Sequence, residues 1–229
     1  MTDRLHPAKT GCGRYKPESM VDYYLALASY MGSDTGDRRL EAAVDRAAEE
    51  SMYGKLPQLR DSGKRLIILV PGGAFGPSKF WASERFAETA DRLVSDYGAD
   101  VVISVSPEPG EKEIAEKVQR ASANELISLA DTPLTLGELK ALYAKADLVI
   151  TNDTGPRHIA IALGRKVVTL FGPNDPRWTD TGYGDEVQIV GEAECGPCQK
   201  PKCVMEQHIC MEAISVDMVV EAAKGLLER

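Results

Sequence analysis

The residues that point most clearly to chemistry lie where an apolar strand pattern turns into a helix pattern. Residues 148–150 are Leu-Val-Ile, residues 152–155 are Asn-Asp-Thr-Gly with turn and N-cap chemistry, and a histidine follows one turn into the helix. Such a helix start presents unpaired backbone N–H groups and the positive end of the helix dipole to an anion. An ordinary capped turn would use the same residue types. The candidate ligand contacts are Asp153, Thr154, Gly155 and His158.

A glycine-rich segment after the first predicted strand contains the second set of candidates. It reads Pro-Gly-Gly-Ala-Phe-Gly-Pro-Ser-Lys-Phe-Trp over residues 71–81. Gly72 and Gly73 would let backbone amides approach a ligand closely, and Lys79 would place a compact positive charge beside a diphosphate. The segment matches neither the P-loop pattern nor the dinucleotide-binding glycine pattern. The alternative interpretation is a lysine exposed in a mobile loop.

Two glutamates, Glu108 and Glu111, follow the second predicted strand and open the next helix. They would lie at the same edge of a parallel sheet as the two segments above, where an acidic side chain can accept hydrogen bonds from ribose hydroxyls. Acidic residues in the first turn of a helix are also favoured by the helix dipole alone. The sequence leaves both explanations open.

Four cysteines cluster near the carboxyl terminus, at Cys195, Cys198, Cys203 and Cys210, with His208 in the same stretch. This spacing permits a tetrahedral zinc site with four thiolates, or with three thiolates and the imidazole. The alternatives are reduced structural thiols in an intracellular protein and disulfides in an exported one.

From residue 66 onward, strand and helix patterns alternate, which predicts an α/β fold with a Rossmann-like parallel sheet and flanking helices. The strand patterns are rich in Val, Ile and Leu, as expected for strands buried on both faces. The predicted strands are 66–70, 100–105, 126–129, 147–151, 167–171 and 187–190. The predicted helices are 84–97, capped by Ser83, then 111–123, 136–146, 157–163 and 216–227. The candidate residues of the first three sets then follow the carboxyl ends of strands, where α/β sheets bind ligands.

The first 65 residues show two helix patterns, 19–31 and 38–50, and no convincing strand pattern. The whole chain of 229 residues has a net charge of −8, which disfavours a general nucleic-acid binder. No apolar stretch reaches the roughly 20 residues of a membrane span, and no signal peptide is apparent at the amino terminus. The cytoplasm is therefore the expected compartment.

Three ordered motifs resemble glycosyltransferase family 9. They are the segment 71–81 quoted above, Asn-Asp-Thr-Gly-x-x-His-x-Ala-x-Ala-Leu-Gly at 152–164, and Phe-Gly-Pro at 171–173. Within the family, the sequence is most similar to the ADP-heptose:lipopolysaccharide heptosyltransferases of the heptosyltransferase II type, whose carboxyl-terminal cysteine stretch it also resembles. The resemblance covers residues 66–229, and residues 15–28 resemble the segment that leaves the amino-terminal domain of these enzymes.

The resemblance implies one half of a GT-B glycosyltransferase, with a donor-binding domain over 66–229 and a mostly helical remnant of the amino-terminal domain and interdomain linker over 1–65. It implies inverting, metal-independent transfer of heptose from ADP-heptose to the lipopolysaccharide inner core, with no required cofactor and with peripheral association at the inner face of the cytoplasmic membrane. The implied donor contacts are Gly72, Gly73, Ser78, Lys79, Asp153, Thr154, Gly155 and His158, to which Glu108 and Glu111 are added as ribose contacts.

The general base of the family lies near the start of the amino-terminal domain, and nothing in this sequence matches it. We therefore expect no catalytic residue in this chain, little or no transfer by the chain alone, and a Met1 that is an internal start or reflects a truncated reading frame or an artificially shortened chain. Apolar residues of the 20–31 helix would then be exposed, which predicts self-association. Two other functions stay open: a non-catalytic sugar-nucleotide-binding module, and an interaction domain stabilised by a metal at the cysteine cluster.

Overall fold

The computed structural model describes residues 4–229 and contains a six-stranded sheet with helices on both faces. The strands are β1 (Leu66–Val70), β2 (Asp100–Ile103), β3 (Ile127–Ser128), β4 (Leu148–Asn152), β5 (Lys166–Phe171) and β6 (Glu186–Val190). The helices are α1 (Met20–Tyr30), α2 (Arg46–Lys55), α3 (Ser83–Tyr97), α4 (Pro109–Ala121), α5 (Leu136–Lys145), α6 (Gly155–Ala162), α7 (Ile209–Glu212) and α8 (Val216–Leu227). The predicted fold class is confirmed.

All neighbouring strands are parallel, in the order β3-β2-β1-β4-β5-β6. At the centre of the sheet, Leu69 of β1 pairs with Ile103 of β2 on one side and with Ile150 of β4 on the other. The strand order therefore reverses between β1 and β4. In open α/β sheets, a reversal of this kind leaves a crevice outside the carboxyl ends of the two strands, and ligands bind there.

Successive residues of the central strands face opposite sides of the sheet, so the described residues form two apolar cores. Ile67 and Leu69 of β1 belong to the core that includes α3, α4 and α8, whereas Ile68 and Val70 belong to the core that includes α2, α5 and α6. Because both faces are covered, the strands are apolar throughout, as the sequence pattern indicated. The two layers of helices fix the sheet and leave its carboxyl edge to the loops.

The predicted helix over 38–50 is wrong in its first part, since α2 runs from Arg46 to Lys55. Residues 38–45 form neither helix nor strand, and the backbone N–H of Ala42 donates to the carbonyl of Ala162 at the end of α6. The side chain of Asp45 then accepts a hydrogen bond at the start of α2 and caps it. Capping of α3 by Ser83 is also wrong, because the N-cap residue is Ala82.

The helix predicted over 19–31 is confirmed as α1, on which Tyr24, Tyr30 and the neighbouring Met31 are exposed. By contrast, Met52 of α2 and the following Leu56 are buried in the core that contains α5. The division of the chain at residue 65 stays a prediction. None of the helices described within residues 4–229 has the length and apolar composition that crossing a bilayer requires.

Candidate functional site

The carboxyl ends of β1 and β4 meet at the crevice, and a buried asparagine joins them. Asn152 ends β4 and is fully buried, and its Nδ2 donates to the carbonyls of Pro71, at 3.0 Å, and Gly72, at 3.3 Å. Gly73 has a φ of +155°, and a Cβ at this position would overlap the side-chain methyl group of Thr154. The glycine-rich segment therefore packs directly against the turn before α6 because Gly73 has no side chain.

Lys79 is buried beside this contact, contrary to the alternative of a lysine exposed in a mobile loop. It ends the 3₁₀ turn Pro77–Lys79 and is 7% exposed. Its Nζ donates to the backbone carbonyl of Asp153 at 2.6 Å and to Oδ2 of the same residue at 3.2 Å, and it lies 4.6 Å from the centroid of the Phe75 ring. An ammonium group has three N–H donors, so one is left for a ligand after these two bonds among the described residues.

The carboxylate of Asp153 is the centre of a buried hydrogen-bond network. Its Oδ2 accepts from Lys79 and from Asn174 Nδ2 at 3.2 Å, and its Oδ1 accepts from Arg157 Nη1 and Thr179 Oγ1, both at 3.1 Å. Burial alone would raise the pKa of Asp153, but the charges of Lys79 and Arg157 outweigh it, so the pKa lies below its ordinary value. Asp153 is therefore ionised at neutral pH and is saturated with protein donors.

The start of α6 lies next to Asp153. Thr154 is the N-cap residue, and its side chain makes no capping hydrogen bond within the part of the chain that the structure describes; Gly155 is exposed. His158 is half-buried, and burial followed by the charge of Arg157 lowers its pKa below the ordinary value. The imidazole is therefore neutral at pH 7 and offers one N–H donor.

Of the two residues predicted to contact the ribose, Glu111 bonds to the glycine-rich segment and Glu108 is exposed. The Glu111 carboxylate accepts from the backbone N–H of Gly73 at 3.1 Å and from that of Ser106 at 2.7 Å, so it joins the loops after β1 and β2. A Cβ on Gly72 would lie 2.7 Å from its carboxyl carbon. Glu108 is the exposed N-cap residue of α4, and its side chain makes no capping bond to the described residues. Glu111 thus reaches the candidate site. Its carboxylate accepts from the backbone N–H of Gly73, a group that the sequence analysis predicted to contact phosphate.

Ser78 fastens the glycine-rich segment to the cysteine-containing loop. It is buried, its Oγ donates to the carbonyl of Lys200 at 2.6 Å, and its N–H donates to that of Pro201 at 3.2 Å. The backbone N–H of Gln199 in turn donates to the carbonyl of Pro173 after β5. The hydroxyl of Ser78 is therefore engaged with protein, and its predicted contact with a donor stays a prediction.

The four clustered cysteines are free thiols: Cys195 is exposed, Cys198 and Cys203 are half-buried, and Cys210 is buried. Burial raises the pKa of the Cys210 thiol above its ordinary value. Within residues 4–229, no group of three or more His, Cys, Asp or Glu side chains is arranged to hold a metal ion. The predicted zinc site is thus unsupported, and this loop instead anchors the glycine-rich segment.

Four residues of the network around Asp153 were not predicted: Arg157, Asn174, Thr179 and Glu186. For Arg157 the sequence does hold a signal, because it lies four positions after Asp153 at a helix start, which is the spacing of an ion pair on one helix face. Asn174 and Thr179 lie in the loop after β5, which the strand pattern places at the ligand edge without assigning a contact to either residue. Glu186 lies on β6, and only the folded chain brings it near Arg157.

Sequence comparisons place these features among known proteins. A family model described as glycosyltransferase family 9 (heptosyltransferase) matches residues 14–209. Lipooligosaccharide heptosyltransferase 2 of Campylobacter jejuni is 29% identical over 75% of this chain and 54% of its own length. Lipopolysaccharide heptosyltransferase 2 of Salmonella typhimurium is 34% identical over 70% of this chain and 47% of its own length. The chain spans about half the length of the curated relatives it matches.

Solved structures agree with the sequence comparisons. A glycosyl transferase family 9 structure from Veillonella parvula has a TM-score of 0.76 at 26% identity, over 93% of this chain and 61% of that one. The structure of ADP-heptose lps heptosyltransferase II from E. coli has a TM-score of 0.72 at 25% identity, over 92% of this chain and 62% of that one. Because the family model covers most of the sequence and the fold agrees, the chain belongs to glycosyltransferase family 9.

Proposed function

We propose that this chain binds ADP-heptose in the crevice between β1 and β4 and supplies the donor-binding half of a heptosyltransferase. The observation that carries the proposal is Lys79, a buried ammonium with one remaining N–H at the reversal point of the sheet. A buried cation next to a helix start is suited to a diphosphate. The general base and the acceptor site are proposed to lie in the part of the relatives that this chain does not span.

The surrounding residues would act on the diphosphate together. The N–H left on Lys79, the single N–H of neutral His158 and the backbone N–H of Gly155 at the start of α6 are donors for phosphate oxygens. Pro156 has no backbone N–H, and that of Arg157 donates to the carbonyl of Thr154. When the bond between the sugar and the diphosphate breaks, negative charge increases on the leaving ADP. Donors that are already fixed in place stabilise this charge without reorganisation, which lowers the barrier to transfer.

Glu111 is proposed to hold the ribose. Two backbone N–H groups fix its carboxylate, and each carboxylate oxygen has a second lone pair that can accept a hydrogen bond from a ribose hydroxyl. The adjoining Gly72 leaves the space that this carboxylate fills. Glu111 would thus contribute to binding of the nucleoside, whereas Lys79 would contribute to binding of the diphosphate.

The acceptor is proposed to be the lipopolysaccharide inner core, by analogy with the relatives that are named as lipopolysaccharide and lipooligosaccharide heptosyltransferases. Transfer would then take place in the cytoplasm at the inner face of the cytoplasmic membrane, with peripheral association of the enzyme.

Calorimetric titration of ADP, ADP-heptose and UDP into the purified chain tests the proposal. We expect both adenine nucleotides to bind, and Lys79→Met to weaken each by about 10- to 100-fold, the scale of a charge-assisted hydrogen bond. Lys64→Ala is the matched control, because Lys64 is exposed and pairs with Asp100 at the opposite edge of the sheet. UDP shows whether the site selects adenine. The proposal fails if neither adenine nucleotide binds, or if the two lysine variants weaken binding equally.

A further inference from the structure

Arg157 is a fully buried arginine that joins three separate parts of the fold. Its Nε and Nη2 donate to the two carboxylate oxygens of Glu186 on β6, at 2.6 and 2.9 Å. Its Nη1 donates to Asp153 Oδ1 at 3.1 Å and to the carbonyl and hydroxyl oxygens of Thr179, at 3.1 and 2.8 Å. The guanidinium carbon lies 5.1 Å from the centroid of the Phe171 ring. Each of the three guanidinium nitrogens therefore donates at least one hydrogen bond.

A buried ion pair of this kind contributes little net stability by itself. Removing charges from water costs so much that apolar side chains of similar volume often stabilise a protein equally well or better. Glu186 is itself saturated, since it also accepts from Thr169 Oγ1 and Gln188 Nε2. Both Glu186 oxygens and all three guanidinium nitrogens therefore take part in hydrogen bonds, as expected of a group that holds another group in place.

The group that the pair holds is the Asp153 carboxylate. Arg157 and Thr179 bind Oδ1, which leaves Oδ2 directed to Lys79 and Asn174. The orientation of the Lys79 ammonium, and hence of its remaining N–H, depends on Oδ2 and on the backbone carbonyl of Asp153. Arg157 therefore acts on Lys79 through one intervening carboxylate.

The charges of these four residues also support the dependence of Lys79 on Arg157. Arg157 and Glu186 cancel each other, as do Lys79 and Asp153, so the buried group is neutral before a ligand binds. When Lys79 shares its charge with a diphosphate, Asp153 needs a second cation if it is to stay ionised in a buried position. Arg157, at 3.1 Å, is that cation.

We propose that Arg157, anchored by Glu186, is a positioning residue for the diphosphate of the donor: it fixes Asp153, which presents the Lys79 ammonium to the ligand. The inference rests on the proposed nucleotide site and adds that the loop after β5 and strand β6 set the affinity for the diphosphate. Arg157 contacts no ligand in this proposal.

The test is a double-mutant cycle in the whole chain, read by ADP binding. The variant Arg157→Met with Glu186→Gln removes both charges, so that neither is left alone in the interior. We expect it to weaken ADP binding by about 5- to 10-fold and to leave adenosine, which has no phosphate, within about twofold of wild type. In the Lys79→Met background the same pair of changes should cause no further loss of ADP affinity, because the residue through which Arg157 acts is gone.

Two further variants separate positioning from general loss of structure. Glu138→Gln changes another buried carboxylate, which accepts from Lys55 and Ser51 and has no hydrogen bond to the crevice residues among those described, and it should lower stability without changing ADP affinity. Thr179→Val removes one donor to Asp153 without removing a charge, and we expect a two- to threefold loss of ADP affinity. This variant keeps the test available if the double variant of Arg157 and Glu186 does not fold.

Three results would overturn the inference while wild type still binds ADP: unchanged ADP affinity in the Arg157 and Thr179 variants, an equal loss for adenosine, or the same loss in the Lys79→Met background. Failure of wild type to bind ADP would instead remove the proposed function on which the inference rests.

Discussion

Replacement of Gly76 by alanine tests how the segment that carries Lys79 is held. Gly76 has φ +140° and ψ 171°, a region that only glycine occupies readily. A Cβ at this position would overlap the carbonyl oxygen of Pro201, which is backbone and cannot turn away as a flexible side chain would. Ser78, two residues later, donates to the carbonyls of Lys200 and Pro201, so relief of the overlap must disturb both hydrogen bonds.

The size of the effect follows from these contacts. A non-glycine residue in this region costs about 1 to 3 kcal/mol, and each hydrogen bond lost adds about 1 kcal/mol. We expect Gly76→Ala to lower the free energy of unfolding by about 3 to 5 kcal/mol. In a chain of this size, that change lowers Tm by roughly 6 to 20 °C. Because Lys79 follows in the same turn, ADP affinity should fall as well.

Gly98→Ala is the matched control. Gly98 ends α3 with φ +61°, and among the described residues no atom lies within 4 Å of a Cβ built there, so the change carries only the strain of a left-handed backbone, about 1 kcal/mol. Urea denaturation and calorimetric titration with ADP on both variants give the comparison. If Gly76→Ala is no more destabilising than Gly98→Ala, the packing of the glycine-rich segment on the cysteine-containing loop is refuted.

The remaining predictions concern protonation and packing. His158 is one of three histidines, and its imidazole resonances should titrate below 6.5 and shift upward on addition of ADP; a titration unaffected by ADP would exclude contact with the phosphates. Since a lowered histidine pKa favours the neutral form in the folded state, this group destabilises the fold as pH falls below about 6.5. For Glu138, burial would raise the pKa, but hydrogen bonds from Lys55 and others lower it to about 2, so its contribution to stability is lost as pH falls from about 4.5 to 2. Glu138→Gln should therefore flatten the loss of urea stability over that range, and an unchanged slope would contradict this. Trp81 is buried and donates to the carbonyl of Ile214, so Trp81→Phe should lower the unfolding free energy by about 1 to 3 kcal/mol in the same urea assay. The control is Tyr24→Phe at an exposed aromatic residue, which should lower it by less than about 0.5 kcal/mol.

The predicted strands and motifs followed from local pattern alone. Residues 66–70 are uninterrupted apolar residues because both faces of β1 are covered, and this local signal survives folding. The predicted strand ends placed the glycine-rich segment and the residues after β4 at one edge of a parallel sheet. In the structure, Asn152 joins these two segments. The ends of helices were predicted less accurately than the strands. The stretch before Asp45 was predicted to be helical, but a tertiary hydrogen bond replaces helical ones there.

The sequence by itself determined that this is a parallel α/β chain with a lysine, an aspartate and a histidine at the ligand edge, because strand periodicity, glycine turns and helix starts are local properties. Only the tertiary structure decided that Lys79 is buried against Asp153, that the Glu111 carboxylate accepts from the backbone N–H of Gly73, and that Arg157 bonds both Glu186 and Asp153. Those contacts join residues far apart in the chain, and burial, which fixes their charges and pKa values, exists only after the sheet and both helix layers have packed.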